Sequence, residues 1–219
     1  MTVVIFDLDD TLYLESEFAR SGFRHLDTSL RTRGISGFFE RAWERFCAGH
    51  RTKIFDAVLA ELGVDASEAK VRELVEMFRS HRPEISLAPD AAWLLDHWAG
   101  ERALGLITDG WSLTQHQKID ALALRQRLAC IVVSDDLGGP DFWKPSPAPF
   151  EAVMSRMGPR EKFVYVGDNP HKDFVTARKL GWKTVRVRRK GGLHEKVEPL
   201  SGYESDHVVE DLRALSSLL

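Results

Sequence analysis

The sequence predicts an α/β fold: a parallel sheet with helices on both faces, carrying a small all-helical insertion near its start. Three observations point there. Short apolar runs rich in β-branched residues recur along the chain, helical stretches separate them, and residues 14–86 lack such a run. The runs are Val3-Val4-Ile5-Phe6, Leu104-Gly105-Leu106-Ile107, Cys130-Ile131-Val132-Val133, Phe163-Val164-Tyr165-Val166 and Lys183-Thr184-Val185-Arg186-Val187. A further run at His207-Val208-Val209 predicts an edge strand before a last helix.

The helices between these strands carry end signals. Ser112 followed by Gln115 matches a capping box, with Ile119, Leu122 and Ala123 as an apolar face beyond it. Ser146-Pro147 reads as an N-cap with proline in the first turn, and Gly158 as the stop of that helix. The helix after Asn169-Pro170 is expected to stop at Gly181. Within residues 14–86, Ile54, Val58 and Leu62 recur at helical spacing, while Gly34 and Gly63-Val64-Asp65 divide the segment into several helices. Phe38, Phe39, Trp43 and Phe46 are spaced as a helix core. The expected division is a core of residues 1–13 and 87–219 and a helical cap of residues 14–86.

Composition narrows the function classes. With 219 residues, 43% hydrophobic and 29% charged, the chain can bury a full core without disulfides or a structural metal. A net charge of −3 argues against a nucleic-acid partner. Cys47 and Cys130 form no CxxC pair and the eight histidines show no ligand-like pairing, which argues against a disulfide framework or a zinc site. The chain opens on an apolar strand without a basic leader, and no stretch approaches the roughly 18 apolar residues of a membrane span. A cytoplasmic protein without a membrane partner is expected.

The segments just beyond the strands are the most informative. The first strand runs into Asp7-Leu8-Asp9-Asp10-Thr11, the second into Thr108-Asp109-Gly110, and the fourth into Gly167-Asp168-Asn169-Pro170-His171-Lys172-Asp173. Trp143-Lys144-Pro145-Ser146 lies between the last two. Ligands of open parallel sheets bind outside the carboxyl ends of the strands. Asp7, Asp9, Thr108, Asp168 and Asp173 can therefore converge on one crevice. Clustered carboxylates repel one another unless a cation or proton neutralises them. An all-oxygen set suits magnesium, which needs one or two carboxylates plus a substrate phosphate. Lys144 adds positive charge, and Thr108 adds a hydroxyl for a phosphate oxygen.

At these residues the sequence resembles the haloacid dehalogenase superfamily. Phe6-Asp7-Leu8-Asp9-Asp10-Thr11-Leu12 is similar to its nucleophile motif, Ile107-Thr108-Asp109-Gly110 to its phosphate-binding threonine motif, and Lys144-Pro145-Ser146-Pro147 to its lysine motif. Val166-Gly167-Asp168-Asn169-Pro170 with Asp173 is similar to its acidic metal motif. The resemblance implies a Rossmann-like core and a role for each residue. Asp7 attacks phosphorus; Asp9 protonates the leaving oxygen and then activates water. Thr108, with Asp109 and Gly110 in its loop, binds the phosphoryl group together with Lys144, which also neutralises charge around Asp7. Asp7, the Asp9 carbonyl and Asp168 hold Mg2+, with Asp173 orienting its shell. A carboxylate at the position of Asp9 marks phosphatases and phosphomutases among these relatives, which makes dehalogenation and ion pumping improbable.

The expected activity is magnesium-dependent hydrolysis of a small phosphate ester, a sugar phosphate or nucleotide, through an aspartyl-phosphate. The cap is expected to set specificity. A phosphomutase on the same site and a non-catalytic phosphometabolite-binding protein are the alternatives. Gln115, Gln117-Lys118-Ile119 and Leu122 lean toward acylneuraminate-phosphate phosphatases and pyrimidine nucleotidases, although those relatives often have asparagine where Asp109 stands. Trp111 and Trp143 either line the substrate entrance or pack beneath the loops. The basic run of Arg186, Arg188, Arg189 and Lys190 is expected to be a solvated strand edge. His171 has no assigned role.

Overall fold

A computed structural model describes residues 2–158 and 162–219. The chain forms two compact units, Met1–Glu15 with Ile85–Leu219 and Ser16–Glu84. In the first, the apolar runs become strands β1 (Thr2–Phe6), β2 (Ala103–Thr108), β3 (Cys130–Val133), β4 (Lys162–Gly167), β5 (Lys183–Val187) and β6 (His207–Val209). They form a parallel sheet in the order β3-β2-β1-β4-β5-β6. β1 thus lies between β2 and β4, with Ile5 opposite Gly105 on one side and Tyr165 on the other. A Cβ on Gly105 would meet Ile5 Cδ1 at 2.7 Å and the Cys130 carbonyl oxygen at 3.0 Å, a close backbone approach that favours glycine inside this strand.

Burial on both faces explains the unbroken apolar runs. One cluster combines Val3, Ile5, Ile107 and Tyr165 of the sheet with Phe150, Val153 and Phe174 of helices α7 (Ala148–Met157) and α8 (Phe174–Lys179). The other helices of this unit are α5 (Pro89–His97), α6 (Ser112–Ala121) and the short α9 (Leu215–Leu218).

The second unit is helical: α1 (Glu15–Arg31), which starts one residue before it, α2 (Phe38–Cys47), α3 (Ile54–Glu61) and α4 (Glu68–Ser80). Phe23, Leu26, Leu30, Phe38, Val58, Leu59 and Leu74 form its core, with Phe39, Trp43 and Phe46 half-buried against them. The first-turn donors of α2 lack a local cap, because Gly37 has no side chain. Buried Asp27 of α1 supplies it from a distance, accepting from the N–H groups of Phe38 (3.0 Å) and Phe39 (3.2 Å).

Two sequence expectations need correction. The Ser112–Gln115 capping box is not made: Ser112 Oγ donates to Asp136 Oδ1, and Gln115 turns toward the acidic loops. The two residues are drawn away by partners that sequence spacing does not reveal. The basic run is also not a solvated edge, since β6 covers β5 and both Arg186 and Arg189 are buried. Arg186 donates to the carbonyls of Asp168 (3.1 Å), His194 (2.6 Å) and Val197 (2.7 Å). Smaller shifts occur at two helix starts. α7 begins after Pro147 rather than at it, and α8 begins four residues beyond Pro170.

Arg189 pairs with Asp90 through Nη1 at 2.8 and 3.0 Å, and Asp90 also accepts the Leu212 N–H at 2.7 Å. Burial acts to raise the Asp90 pKa, but the Leu212 N–H and the Arg189 guanidinium outweigh it and hold the carboxyl below its ordinary value. Such a group stabilises the fold above the ordinary carboxylate range and loses that contribution as pH falls through the lower, folded value. Asp90→Ala should therefore cost about 3–5 kcal/mol at neutral pH, because it strands a buried guanidinium. That corresponds to a fall in Tm of roughly 10 °C. Melting curves across pH should show the gap to wild type narrowing below about pH 4; a gap independent of pH would assign the loss to packing alone.

Candidate active site

β2, β1 and β4 are adjacent and parallel, so the loops after them open side by side at one end of the sheet. The topology brings Asp7 and Asp9 from the first loop, Thr108 and Asp109 from the second, and Asp168 and Asp173 from the third into one neighbourhood. Lys144 joins them from the segment before α7. Its Nζ lies 2.5 Å from Asp7 Oδ1 and 2.8 Å from Asp173 Oδ1, and it donates to Tyr165 Oη at 2.7 Å. The Lys144 side chain is 0% exposed.

Asp7, Asp168 and Asp173 are buried, and each offers a carboxylate oxygen within 4.8 Å of the others. Burial, with Asp173 adding to it and Lys144 opposing it, raises the Asp7 pKa to about 7. Burial and then the charges of Asp173 and Asp7 push Asp168 well above its ordinary value. The same neighbours, Asp173 first, raise Lys144 despite its burial. This is the electrostatic state of a carboxylate cluster that favours a further cation. Its all-oxygen donors fit a hard divalent ion such as Mg2+ and not a soft one.

The third loop is built to hold this geometry. Asp173 Oδ2 accepts the Asn169 N–H at 2.9 Å, closing a tight turn around residues 169–173. A Cβ on Gly167 would come within 2.5 Å of that same Oδ2, so the strand end needs glycine. Arg186 fixes the Asp168 carbonyl from below.

Asp9 sits differently from Asp7. Its side chain is 25% exposed, and it accepts from Lys118 Nζ at 2.7 Å, from Gln115 Nε2 at 3.0 Å and from the Tyr13 hydroxyl. Burial acts to raise its pKa, but Lys118 and these hydrogen bonds win and lower it, keeping Asp9 ionised here. Gln115 Nε2 also donates to Thr108 Oγ1, tying the threonine to the same network. Asp109 accepts Ser134 Oγ at 2.7 Å, the Lys144 N–H at 3.1 Å and Lys172 Nζ at 2.8 Å.

A cavity of about 180 Å³ opens above this group. Asp7, Asp9, Asp109, Gly110 and Asp168 line it, together with Asp10, Glu15, Trp143, Lys172 and His194. Thr108, Lys144 and Asp173 support it from behind, each 5% exposed or less. Trp143 therefore reaches the cavity, anchored by its Nε1 donating to Asp135 at 3.1 Å. Trp111 stands edge-to-face against it and is 47% exposed. Sequence reasoning gave no site role to Tyr13, Lys118, Glu15, Lys172 or His194. For Lys118 a signal existed: it lies one helical turn beyond Gln115 on the helix that comes after the threonine loop, so the two share a face.

Relatives are similar over nearly their whole length. A glyceraldehyde 3-phosphate phosphatase of Methanopyrus kandleri is 28% identical, the match covering 90% of this chain and 87% of that protein. A phosphoserine phosphatase of Thermus thermophilus is 28% identical, with coverage of 86% and 89%. The pyrimidine 5'-nucleotidase YjjG of Escherichia coli is 24% identical, with coverage of 99% and 96%. Among solved structures, the HAD-hydrolase YfnB of Bacillus subtilis, bound to magnesium, shares the fold. Its TM-score is 0.66 at 20% identity, over 100% of this chain and 98% of that one. The model of the haloacid dehalogenase-like hydrolase family matches residues 4–187, a span that runs from within β1 to the end of β5 and takes in Asp7, Thr108, Lys144 and Asp168, and the chain belongs to that family.

Proposed function

We propose that this enzyme is a magnesium-dependent phosphomonoester hydrolase that works through an aspartyl-phosphate. Its substrate would be a small phosphorylated metabolite. The observation that carries the reading is the pairing of two unlike carboxylates on one loop. Asp7 sits buried against Lys144, and Asp9, two residues on, faces the cavity rim with its own proton-handling partners. A nucleophile and an acid–base group placed two residues apart suit displacement in two steps. The relatives named as phosphatases and as a nucleotidase act on small phosphate esters by name, which supports the substrate class.

In the first step an Asp7 oxygen forms a bond to phosphorus while the bond to the leaving oxygen breaks, and protonated Asp9 gives that oxygen its proton. In the second, ionised Asp9 takes a proton from water, the hydroxide forms a bond to phosphorus, and the Asp7–phosphorus bond breaks to release phosphate. The Asp9 environment in this structure matches the second half-reaction, since Lys118 favours the ionised form. Asp7, Asp168 and the Asp9 carbonyl would hold the metal ion, with Asp173 orienting the shell. Bound there, it supplies positive charge to the transferring phosphoryl oxygens. Lys144 keeps Asp7 oriented toward the incoming phosphorus.

A phosphate-release assay tests this reading. An aryl phosphate should be hydrolysed with magnesium, lose nearly all turnover in chelator, and respond poorly to calcium, whose looser shell disturbs in-line geometry. Undiminished turnover in excess chelator would falsify the metal assignment. A screen over sugar phosphates, nucleotides and small organic phosphates then identifies the substrate class. Free phosphate as the product separates hydrolysis from mutase chemistry.

A further inference from the structure

We infer that Lys172 binds the phosphoryl group directly, and that Asp109 positions it to do so. The inference rests on the phosphoryl-transfer reading above and adds to it a residue to which the four motifs give no role.

The cavity has a charge problem. Its lining includes the carboxylates of Asp7, Asp9, Asp10, Glu15, Asp109 and Asp168, and a phosphate monoester brings further negative charge. Lys118 is paired with Asp9, and one divalent ion among the carboxylates leaves the phosphoryl oxygens in need of a cationic side chain that faces them. Lys144 is the obvious second cation, but its ammonium has three N–H groups, and three acceptors already surround it: Asp7, Asp173 and Tyr165. Its side chain is 0% exposed and does not line the cavity, so it faces Asp7, Asp173 and Tyr165 and not the open space where a phosphate would sit.

Lys172 has the opposite character. Among the described lining residues it is the lysine or arginine that faces the cavity, and its side chain is 30% exposed. Its Nζ has one hydrogen-bond partner among the described residues, Asp109 Oδ2 at 2.8 Å. Two N–H groups therefore remain to meet phosphoryl oxygens. The charge-assisted hydrogen bonds that result are about twice as strong as neutral ones.

The lysine is also held in place at both ends. Its backbone lies in the turn closed by Asn169 and Asp173, with the Asp173 N–H donating to the Asn169 carbonyl at 3.1 Å. Its tether is rigid, because Ser134 Oγ and the Lys144 N–H fix Asp109 through its other oxygen. Pre-positioning removes part of the entropic cost of engaging a flexible lysine. The rival explanation is that Lys172 only neutralises Asp109.

The test uses inorganic phosphate as the probe, in magnesium, by calorimetry and by competitive inhibition of aryl phosphate hydrolysis. Lys172→Gln should weaken phosphate binding ten-fold or more and raise KM for the ester in parallel. Lys172→Arg should recover most of the affinity. The double variant Asp109→Asn with Lys172→Gln removes both partners of the ion pair, so it is informative even where the single variant folds poorly. It should show the same ten-fold loss. Wild-type phosphate affinity in Lys172→Gln, or its return in the double variant, would overturn the inference in favour of simple neutralisation. Absence of ester hydrolysis by the wild type would sink the phosphatase reading instead, while the calorimetric comparison would still decide the role of Lys172.

Discussion

Replacing Asp7 with asparagine is expected to reduce phosphate release to background in a protein that remains folded. The amide keeps the size of the side chain but lacks the anionic oxygen that attacks phosphorus. The fold should tolerate the change, because Lys144 keeps two of its three partners, Asp173 at 2.8 Å and Tyr165 at 2.7 Å. The loss should be roughly 10⁴–10⁶-fold in kcat, the scale seen when a covalent nucleophile is removed from a concerted group. Acid-quenched wild-type enzyme should carry phosphate in an acid-stable, base-labile acyl linkage, and the variant should carry none. Retention of more than a small fraction of turnover by Asp7→Asn would mean that another group is the nucleophile.

Asp9→Asn should lower kcat by about 10²–10⁴-fold, the usual contribution of a positioned acid–base group, with KM falling alongside it where the second step becomes limiting. The amide oxygen still accepts from one neighbour, but it can neither protonate the leaving oxygen nor deprotonate water. The deficit should therefore depend on the leaving group. An aryl phosphate, whose leaving oxygen needs little protonation, should lose less in the first step than an alkyl ester. With the aryl substrate the second step then limits turnover, and phosphate should accumulate on Asp7 as a burst of aryl alcohol followed by a slow phase. Equal losses for both esters without accumulation would remove Asp9 from acid–base chemistry and leave it a positioning role.

β1 through β4 were legible because each is short, apolar and largely buried on both faces, a pattern that depends only on local sequence. The acidic loops were legible for a related reason: the carboxyl ends of neighbouring parallel strands share one edge of the sheet, so Asp7, Thr108 and Asp168 could be put near one another from the strand pattern alone. What escaped was information spread over distance. Arg186 looks like a surface residue in sequence, and only the fold reveals the three carbonyls that surround its guanidinium. Lys118 carries no site role in sequence until Asp9, more than a hundred residues earlier, supplies its partner. Ser112 and Gln115 fit a local capping rule and obey a tertiary one instead.

The central position of β1 has a consequence for how the protein is made. During synthesis, the strand that leads to Asp7 leaves the ribosome well before β2 and long before β4, and it needs both as neighbours. A nascent chain ending before residue 162 therefore holds β1 with one hydrogen-bonding edge unfilled, and an open apolar edge invites pairing with other chains. The wait is long because β1 closes its pairs across about a hundred and across about a hundred and sixty residues, the non-local wiring that slows folding. Fragments that stop short of β4 should accordingly depend on chaperones or aggregate, however complete their nucleophile loop is in sequence.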